Sequence, residues 1–260
     1  MRTPLQHIAW LLWLTSVPVA VCAGCTSTRA APEQPWHPGT FSILGYDPET
    51  GEVGGAIQSR SFSVGSRNIW AEADRGAVVT QAAVDVSYGP KALRLLRERL
   101  PPGKIVEHLW ESDPDPFPID WSKQGRQFAV MNAEGEYAAF TGPTATEWAG
   151  HQGGKHCTAQ GNILVSEEVV SSMVAAFEQT SGHLSRRLLA ALEAGQTAGG
   201  DKRGQQAAAM IIVKKGGGVW LNNDTVLRLQ VDDHAEPIEE LGRLIGKWEE
   251  ALQRWRQPIR

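Results

Sequence analysis

The apolar and polar positions change period several times along the chain, and the first clear pattern follows Gly39. Residues 40–46 and 53–59 predict two strands, because both are short, largely apolar and bounded by turn residues. The six residues between them, DPETGE, carry proline early and glycine late, which is typical of a tight reverse turn. If the first and last of these six face each other, the hairpin register places Thr40 opposite Ser59.

Beyond this hairpin, strand-like and helix-like patterns occur in groups. The further predicted strands are 76–83, 127–131, 136–140, 207–214 and 226–231. The predicted helices are 88–100, 105–111, 165–179, 183–194 and 236–255. Because the helices stand between groups of strands and do not alternate with single strands, the pattern favours an α+β protein. We expect antiparallel sheets covered by helices, in one domain over residues 40–260.

The first 24 residues predict an export signal. A positive charge precedes an apolar run over 8–21, and small residues lead up to Cys25. The run is shorter than the roughly 20 residues that a membrane-spanning helix needs. Ala-Gly-Cys also resembles the end of a bacterial lipoprotein signal, which makes Cys25 a candidate lipid anchor. Residues 25–39 are polar and contain proline, so they predict a tether or propeptide. We therefore expect an exported protein, periplasmic or anchored to a membrane.

Composition excludes several classes of function. The chain has 260 residues, 42% of them hydrophobic, and a formal net charge of −4, so it offers no basic field for nucleic acid. The glycine and serine motifs of nucleotide-binding loops and α/β-hydrolases are absent. His151, His156 and Cys157 lie close in sequence, but they lack the spacing and further ligands of a zinc site. We expect no metal and no cofactor, and we interpret Cys157 as a small buried apolar residue.

The chemistry-bearing candidates stand at strand ends and in glycine-rich turns. They are Thr40, Ser59, Arg60, Thr80, Gln81, Gln160, Gly161, Asn162, Asp201, Arg203, Asp233 and His234. Several of these fall in segments that resemble the DUF1028 family. Those segments are TFSI at 40–43, DPETGE at 47–52, YGP at 88–90, TG at 141–142, WAGH at 148–151, AQGN at 159–162, AGGD at 198–201 and VDDH at 231–234.

The resemblance extends over residues 40–245 and implies a fold more directly than an activity. The family is assigned to the N-terminal nucleophile (Ntn) hydrolases, whose fold is a four-layer αββα sandwich of two antiparallel sheets covered by helices. By that analogy the chain is an amidohydrolase that cleaves a C–N amide bond of a small molecule. Relatives begin near the matching threonine, whereas 39 residues precede Thr40 here. The Gly39–Thr40 pair resembles the self-cleavage junction of proteasome β subunits.

Physical chemistry explains why Thr40 must become the first residue. A threonine hydroxyl is a poor nucleophile and needs a base nearby. A free α-amine has a pKa of about 7.7–8.0 and is partly neutral near pH 7.5, whereas an amide nitrogen is not a base. The β-methyl group of Thr40 also restricts χ1 and holds the hydroxyl in place. We therefore predict cleavage at Gly39–Thr40, which would also release a lipid-anchored protein.

The other candidates are assigned roles around this nucleophile. We expect Ser59 to hydrogen-bond Thr40, and Arg60 to lower the pKa of the amine or bind a carboxylate. The amides of residues 160–162 suit an oxyanion hole. The residues expected to border the substrate pocket are Thr80, Gln81, Trp148, His151, Asp201, Arg203, Asp233 and His234.

Each assignment has a purely structural alternative. Thr40 is then only the first residue of a strand, and residues 59–60 are only a strand end. Residues 160–162 are then the polar start of a helix, residues 201–203 are a solvated loop, and residues 232–234 form the turn into the last helix. Under those alternatives the protein is a non-catalytic ligand-binding protein on the same fold, or an oligomeric envelope scaffold. Trp248 and Trp255, seven residues apart, serve packing or an oligomer contact, and we expect a homo-oligomer.

Overall fold

The computed structural model describes residues 39–255, in which ten strands and five α-helices form. The strands are β1 Thr40–Asp47, β2 Glu52–Ser59, β3 Ile69–Glu72, β4 Gly76–Ala82, β5 Arg126–Asn132, β6 Tyr137–Thr141, β7 Gly150–Gly154, β8 Cys157–Asn162, β9 Ala207–Val213 and β10 Thr225–Val231. The helices are α1 Tyr88–Arg97, α2 Pro102–Glu111, α3 Glu168–Gln179, α4 Leu184–Thr197 and α5 Pro237–Trp255.

The strands form two antiparallel sheets. The first has six strands in the order β10-β9-β2-β1-β8-β7, and the second has four in the order β3-β4-β5-β6. Every strand pair within them is antiparallel. The predicted α+β class with antiparallel sheets is therefore confirmed.

The predicted register of the first hairpin is also confirmed. Thr40 pairs with Ser59, and the pairing continues without a slip to Asp47 and Glu52. The turn is closed by Asp47, whose carboxylate accepts hydrogen bonds from the Glu49 amide at 3.0 Å and the Thr50 hydroxyl at 2.9 Å. Gly51 has a φ of 76°, a conformation that glycine adopts without steric cost. These local contacts explain why the turn alone predicted the register.

Side-chain alternation divides the core into three clusters. One lies between the two sheets, where Leu44 and Ile57 of the first sheet meet Val79 and Met131 of the second. A second joins the opposite face of the six-stranded sheet to α3, α4 and α5. The third joins the other face of the four-stranded sheet to α1 and α2. The space between the sheets is the one into which Thr40 also points, because it alternates in phase with Leu44 along β1.

Two helices start three residues away from their predicted positions; in addition, α1 ends three residues before its predicted end and α4 ends three residues after it. The second helix begins at Pro102, three residues before the prediction, because proline is tolerated in the first turn of a helix. The third begins at Glu168 and not at 165, because the segment before it pairs with a distant loop. In that segment Leu164 bridges Asp201, and the Val165 amide donates to the Gly200 carbonyl at 3.1 Å.

Three strands were not predicted, and β8 is the consequential one. Cys157–Asn162 is completely buried between β1 and β7 in the six-stranded sheet. Its composition, CTAQGN, contains residues that are depleted in strands, so its sequence indicated a turn. The strand forms because both neighbours supply its backbone hydrogen bonds, and because Ser42 of β1 and Gln127 of the opposite sheet accept from the side-chain N–H groups of Gln160 and Asn162.

The predictions for the export signal over 1–24, for Cys25 and for most of the 25–39 tether lie outside the described residues. Within residues 39–255, no helix combines the length and the apolar character needed to cross a membrane. Trp248 is partly buried against the core and its ring lies 5.1 Å from that of His183, whereas Trp255 is half-exposed. Cys157 is fully buried in the core, as predicted.

Candidate functional site

Thr40 lies at the first position of β1, with Ser59 of β2 on one side and Asn162 of β8 on the other. All three residues are buried. The Thr40 hydroxyl donates a hydrogen bond to the Ser59 hydroxyl, with 3.0 Å between the oxygens. The nucleophile candidate is therefore held in one orientation by a side chain on the neighbouring strand.

The Gly39 carbonyl oxygen, directly before Thr40, accepts two side-chain hydrogen bonds. One comes from the Ser59 hydroxyl at 2.6 Å and the second from Arg203 Nη2 at 2.9 Å. A hydroxyl and a cation on one carbonyl oxygen withdraw electron density from its carbon. They also stabilise an oxyanion that forms when a nucleophile attacks that carbon.

Arg203 is held by Asp201, whose side chain is fully buried. The guanidinium contacts both carboxylate oxygens, with Nη2–Oδ2 at 2.7 Å and Nε–Oδ1 at 3.0 Å. The Arg203 backbone amide donates to Oδ1 at 2.9 Å as well. A carboxylate that accepts this many bonds from one residue fixes the guanidinium plane, and in this orientation Nη2 also donates to the Gly39 carbonyl.

The same carboxylate restricts what can stand before Thr40. A Cβ atom built on Gly39 would lie 2.6 Å from Asp201 Oδ2 and 2.8 Å from Asp201 Cγ. Both distances are far below a van der Waals contact, so a side chain at position 39 would force the buried, ion-paired carboxylate to shift. Glycine at position 39 leaves the Asp201–Arg203 pair in place.

The loop between α4 and β9 brings Asp201 and Arg203 to this site. Gly199 and Gly200 have positive φ angles of 112° and 55°, which turn the chain sharply after α4. The Asp201 backbone bridges Leu164, and the Lys202 amide donates to the Ile163 carbonyl at 2.9 Å. The glycine-rich segment thus serves as a support for the ion pair, and it does not form a phosphate-binding loop.

A buried network of amide side chains lies beneath Thr40, between the sheets. Gln81 Nε2 donates to the Thr40 carbonyl at 3.3 Å and to Gln127 Oε1 at 2.8 Å. Gln127 Oε1 also accepts from Asn162 Nδ2 at 3.0 Å, and Gln160 Nε2 donates to the Ser42 hydroxyl at 2.7 Å. Because these groups are shielded from water, each bond is strong and the backbone at Thr40 is fixed in place.

This network changes the interpretation of the predicted oxyanion residues. The side-chain N–H groups of Gln160 and Asn162 are engaged with Ser42 and Gln127, respectively. Gly161 alternates to the other face of the sheet, where a Cβ would lie 2.4 Å from Leu164. The groups that donate to the carbonyl beside Thr40 are instead Ser59 and Arg203.

Several sequence-predicted residues lie away from Thr40. Thr80 precedes Gln81 on β4 and is fully buried, but it pairs with Phe128 and faces the helix side of its sheet. Trp148 packs against the core on the helix side of the six-stranded sheet. His151 is exposed on the edge strand β7, with its Nδ1 2.9 Å from the Thr141 hydroxyl.

The remaining predicted residues lie around residues 205–206, which directly precede β9 and stand beside the end of β2. Arg60 is exposed and donates to the Gln205 carbonyl at 3.0 Å. Asp233 accepts from Gln206 Nε2 at 3.1 Å, and the His234 amide donates to the Gln206 carbonyl at 2.8 Å. The structure thus groups Thr40, Ser59, Gln81, Gln160, Asn162, Asp201 and Arg203 around one point and places the others elsewhere.

Sequence reasoning missed Gln127, and it did not predict that Ser59 and Arg203 donate to the Gly39 carbonyl. Gln127 donates to the Gly161 carbonyl at 2.7 Å and so joins the two sheets. A signal for it existed, because it is a polar residue in phase with the inward-facing positions of a buried strand. Two further residues at this end of the sheets, Ala82 and Ile163, have φ angles of 61° and 54°, which is strained for residues with a side chain.

The comparisons with known proteins place the chain beside one family. Residues 40–241 match the model of a family of unknown function, DUF1028. A crystal structure of a protein from Silicibacter pomeroyi, whose description names the same family model, has a TM-score of 0.71 and 32% sequence identity. That alignment covers 80% of this chain and 88% of the other. None of the curated proteins matches the chain.

Proposed function

We propose that this chain, which belongs to the DUF1028 family, is an exported Ntn hydrolase that cleaves a C–N amide bond with Thr40 as nucleophile. The observation that carries the proposal is the pair of donors, Ser59 and Arg203, on the carbonyl that precedes Thr40. A carbonyl carbon with two donors on its oxygen is activated for attack by a nucleophile. If Thr40 were only the first residue of a strand, the Gly39 carbonyl would not need these two donors.

The first step of the proposal is release of Thr40 from its own chain. Thr40 Oγ attacks the Gly39 carbonyl carbon, and its proton passes through the Ser59 hydroxyl, which already bridges Thr40 Oγ1 and the Gly39 oxygen. The C–N bond of Gly39–Thr40 breaks, the nitrogen gains a proton, and an ester on Thr40 Oγ remains. Water hydrolyses this ester, which leaves a carboxylate on Gly39 and a free amine on Thr40.

The second step uses the same groups on a substrate amide. The neutral Thr40 amine accepts the hydroxyl proton as Oγ attacks the substrate carbonyl. Arg203 and Ser59 stabilise the oxyanion where they previously held the Gly39 oxygen. The protonated amine then returns its proton to the leaving nitrogen, and water releases the acid from the acyl-enzyme. This scheme requires no metal and no cofactor.

The packing supports the proposal that the fold is the four-layer αββα sandwich of this superfamily. One apolar cluster lies between the sheets, and each outer face of a sheet carries its own helices. Thr40 stands at the start of a central strand of the six-stranded sheet, with β2 and β8 on either side. Because Thr40 is buried at this position, we expect only a small substrate to reach its hydroxyl.

Export, lipid attachment and self-association belong to the proposal as well. A signal over 1–24 with lipid on Cys25 places the precursor on a bacterial envelope membrane, and the cut at Gly39–Thr40 then frees the folded domain. We further propose a homo-oligomer. Light scattering of the purified protein gives its mass, and a monomer at all concentrations contradicts this part.

The deciding experiment is N-terminal sequencing and intact-mass measurement of protein expressed from the full gene. The expected mature chain begins at Thr40, and Thr40→Ala remains unprocessed while Thr40→Ser is processed. A panel of small aminoacyl amides then tests hydrolysis by wild type and by Thr40→Ala. A mature chain that retains Gly39 contradicts the mechanism, and ligand binding without processing would favour a non-catalytic binding protein.

A further inference from the structure

A cavity of about 210 Å³ lies at the ends of β4 and β8, and the residues that line it include Asn162 but neither Thr40 nor Arg203. One wall contains Asn162, the strand partner of Thr40, and Ile163 after it. The facing wall contains Ala82 and Ala83, which directly follow the Gln81 that donates to the Thr40 carbonyl. The cavity therefore begins at the neighbouring strand of Thr40 in the six-stranded sheet and at the residue after Gln81 in the four-stranded sheet.

Residues 119–122 form the outer wall of the cavity, and Arg126 holds this loop in place. Arg126 is buried, and its Nη1 donates to the Ala83 carbonyl at 2.7 Å and the Trp121 carbonyl at 2.9 Å. Its Nε donates to the buried carboxylate of Asp113 at 3.0 Å. One guanidinium thus ties the loop wall to the strand wall, and its charge is balanced within the protein.

The lining of the cavity limits what it can hold. Ala82, Ala83 and Ala145 contribute small apolar surface, and Thr144 and Ser122 contribute hydroxyl groups. Asp120 is the one charged residue among those that line it, and none of them is Lys, Arg or His. A volume of about 210 Å³ is below the roughly 300–1,000 Å³ of pockets for drug-sized ligands. A small side chain of a substrate fits this volume. A negatively charged side chain would find no positively charged partner among the lining residues.

We propose that this cavity is the substrate subsite of the Thr40 centre and that it selects amides whose acyl residue has a small side chain without negative charge. Arg126 is a positioning residue that builds the subsite wall. The proposal rests on the proposed hydrolase function, because it assigns the substrate class of that same site.

The test compares an alanyl with a glutamyl fluorogenic amide on processed protein. Wild type is expected to favour the alanyl substrate by more than about tenfold in kcat/KM. Ala145→Leu fills the cavity from a half-buried position and is expected to lower kcat/KM for the alanyl amide about tenfold or more through KM, with processing at Gly39–Thr40 unchanged. The control is Ala251→Leu, a half-buried alanine on α5 that does not line the cavity.

The wall is tested separately with Arg126→Lys, which keeps the charge but loses the fork of N–H groups. It is expected to raise KM for the alanyl amide more than it lowers kcat. Tyr88→Phe is its control, because Tyr88 donates to the same Asp113 carboxylate at 2.8 Å without touching the cavity walls. Equal KM changes in both variants would show that only stability is involved and would overturn the positioning role.

Binding of alaninol, which carries the alanyl side chain and amine but no amide bond to cleave, is measured by calorimetry and gives a readout that does not depend on turnover. Wild type is expected to bind it and Ala145→Leu to lose binding. Processed, active wild type with no preference for the alanyl amide, or an Ala145→Leu variant with unchanged KM and binding, overturns the subsite while the hydrolase stands. Failure of processing in wild type overturns the hydrolase itself and the subsite with it.

Discussion

Ser59 and Thr40 are strand partners whose hydroxyl oxygens lie 3.0 Å apart, and the Ser59 hydroxyl is at the same time 2.6 Å from the Gly39 carbonyl oxygen. Ser59 therefore connects the nucleophile candidate to the bond that must break. A serine that donates to one group and accepts from the other uses both hydrogen-bonding capacities of its hydroxyl. This arrangement makes Ser59 a proton relay in the proposed release of Thr40.

The first prediction concerns this relay. Ser59→Ala removes one of the two donors on the Gly39 oxygen, and loss of one oxyanion donor costs about 10²–10³ in rate. We expect processing at Gly39–Thr40 to slow by that factor, while the free energy of unfolding falls by only about 1 kcal/mol. Intact-mass measurement over time after synthesis gives the rate. Ser171→Ala on α3 is the matched control, and equal rates in the two variants would argue against the relay.

The second prediction concerns Gly39. Gly39→Ala places a Cβ 2.6 Å from Asp201 Oδ2, so the buried carboxylate and the Arg203 that it holds must move. We expect slower processing together with a loss of about 1–3 kcal/mol in the free energy of unfolding, typical of overpacking. Urea unfolding of the unprocessed chain measures the stability.

Gly103→Ala is the control for that substitution. No heavy atom lies within 4 Å of a Cβ at Gly103 in the first turn of α2, so this change is expected to be neutral or stabilising. A Gly39→Ala variant that is processed at the wild-type rate would show that the Asp201 contact does not constrain the junction.

The pairing of Thr40 with Ser59 could be predicted from the sequence, because contacts between residues close in the chain determine it. The turn over 47–52 is stabilised by its own side chains, and it determines the register that brings Ser59 to Thr40. Thr80 and Gln81 were both predicted to border the substrate pocket. Successive residues of a strand face opposite sides, so at most one of these two can share the face of Thr40.

The part that sequence reasoning did not predict depends on non-local partners. The strand β8 carries Gln160 and Asn162 in a buried sheet, where Ser42 and Gln127 accept hydrogen bonds from their side-chain N–H groups and so lower the cost of burying them. Arg203 was predicted to border a pocket, but its bond to Gly39 requires the bridge between Asp201 and Leu164. Neither pairing leaves a pattern in the local sequence.

The third prediction concerns the thiol of Cys157. Burial, with the nearby Glu178 carboxylate adding to it, raises the pKa of Cys157 to about 12, and the residue has no exposed surface. The reactive thiolate is therefore scarce and inaccessible at pH 8. We expect iodoacetamide to leave Cys157 unmodified in the native protein and to modify it fully in guanidinium, as read by peptide mass mapping. Native-state labelling faster than global unfolding would contradict this.

The fourth prediction is a pH dependence from Asp113, the buried partner of Arg126. Burial alone raises the pKa of Asp113, but hydrogen bonds from the Asp115 amide and Tyr88, together with the Arg126 guanidinium, outweigh it and hold the pKa below its ordinary value. A carboxylate with a lowered pKa in the folded state contributes stability that is present above its unfolded pKa and is lost as pH falls through its folded pKa.

Asp113→Asn is therefore expected to cost about 3–5 kcal/mol near pH 7, because it leaves Arg126 buried and unpaired. The difference from wild type should begin to shrink as pH falls below about 4, where the Asp113 carboxyl of the unfolded wild-type chain takes up a proton, and it should be lost as pH falls through the lower pKa of the folded state. Urea unfolding at a series of pH values measures both. Asp224→Asn, which removes an exposed partner of Lys215, should show a smaller effect that added salt abolishes. A difference for Asp113→Asn that stays constant down to pH 3 would mean that this carboxyl does not carry the charge that holds Arg126 against the cavity wall.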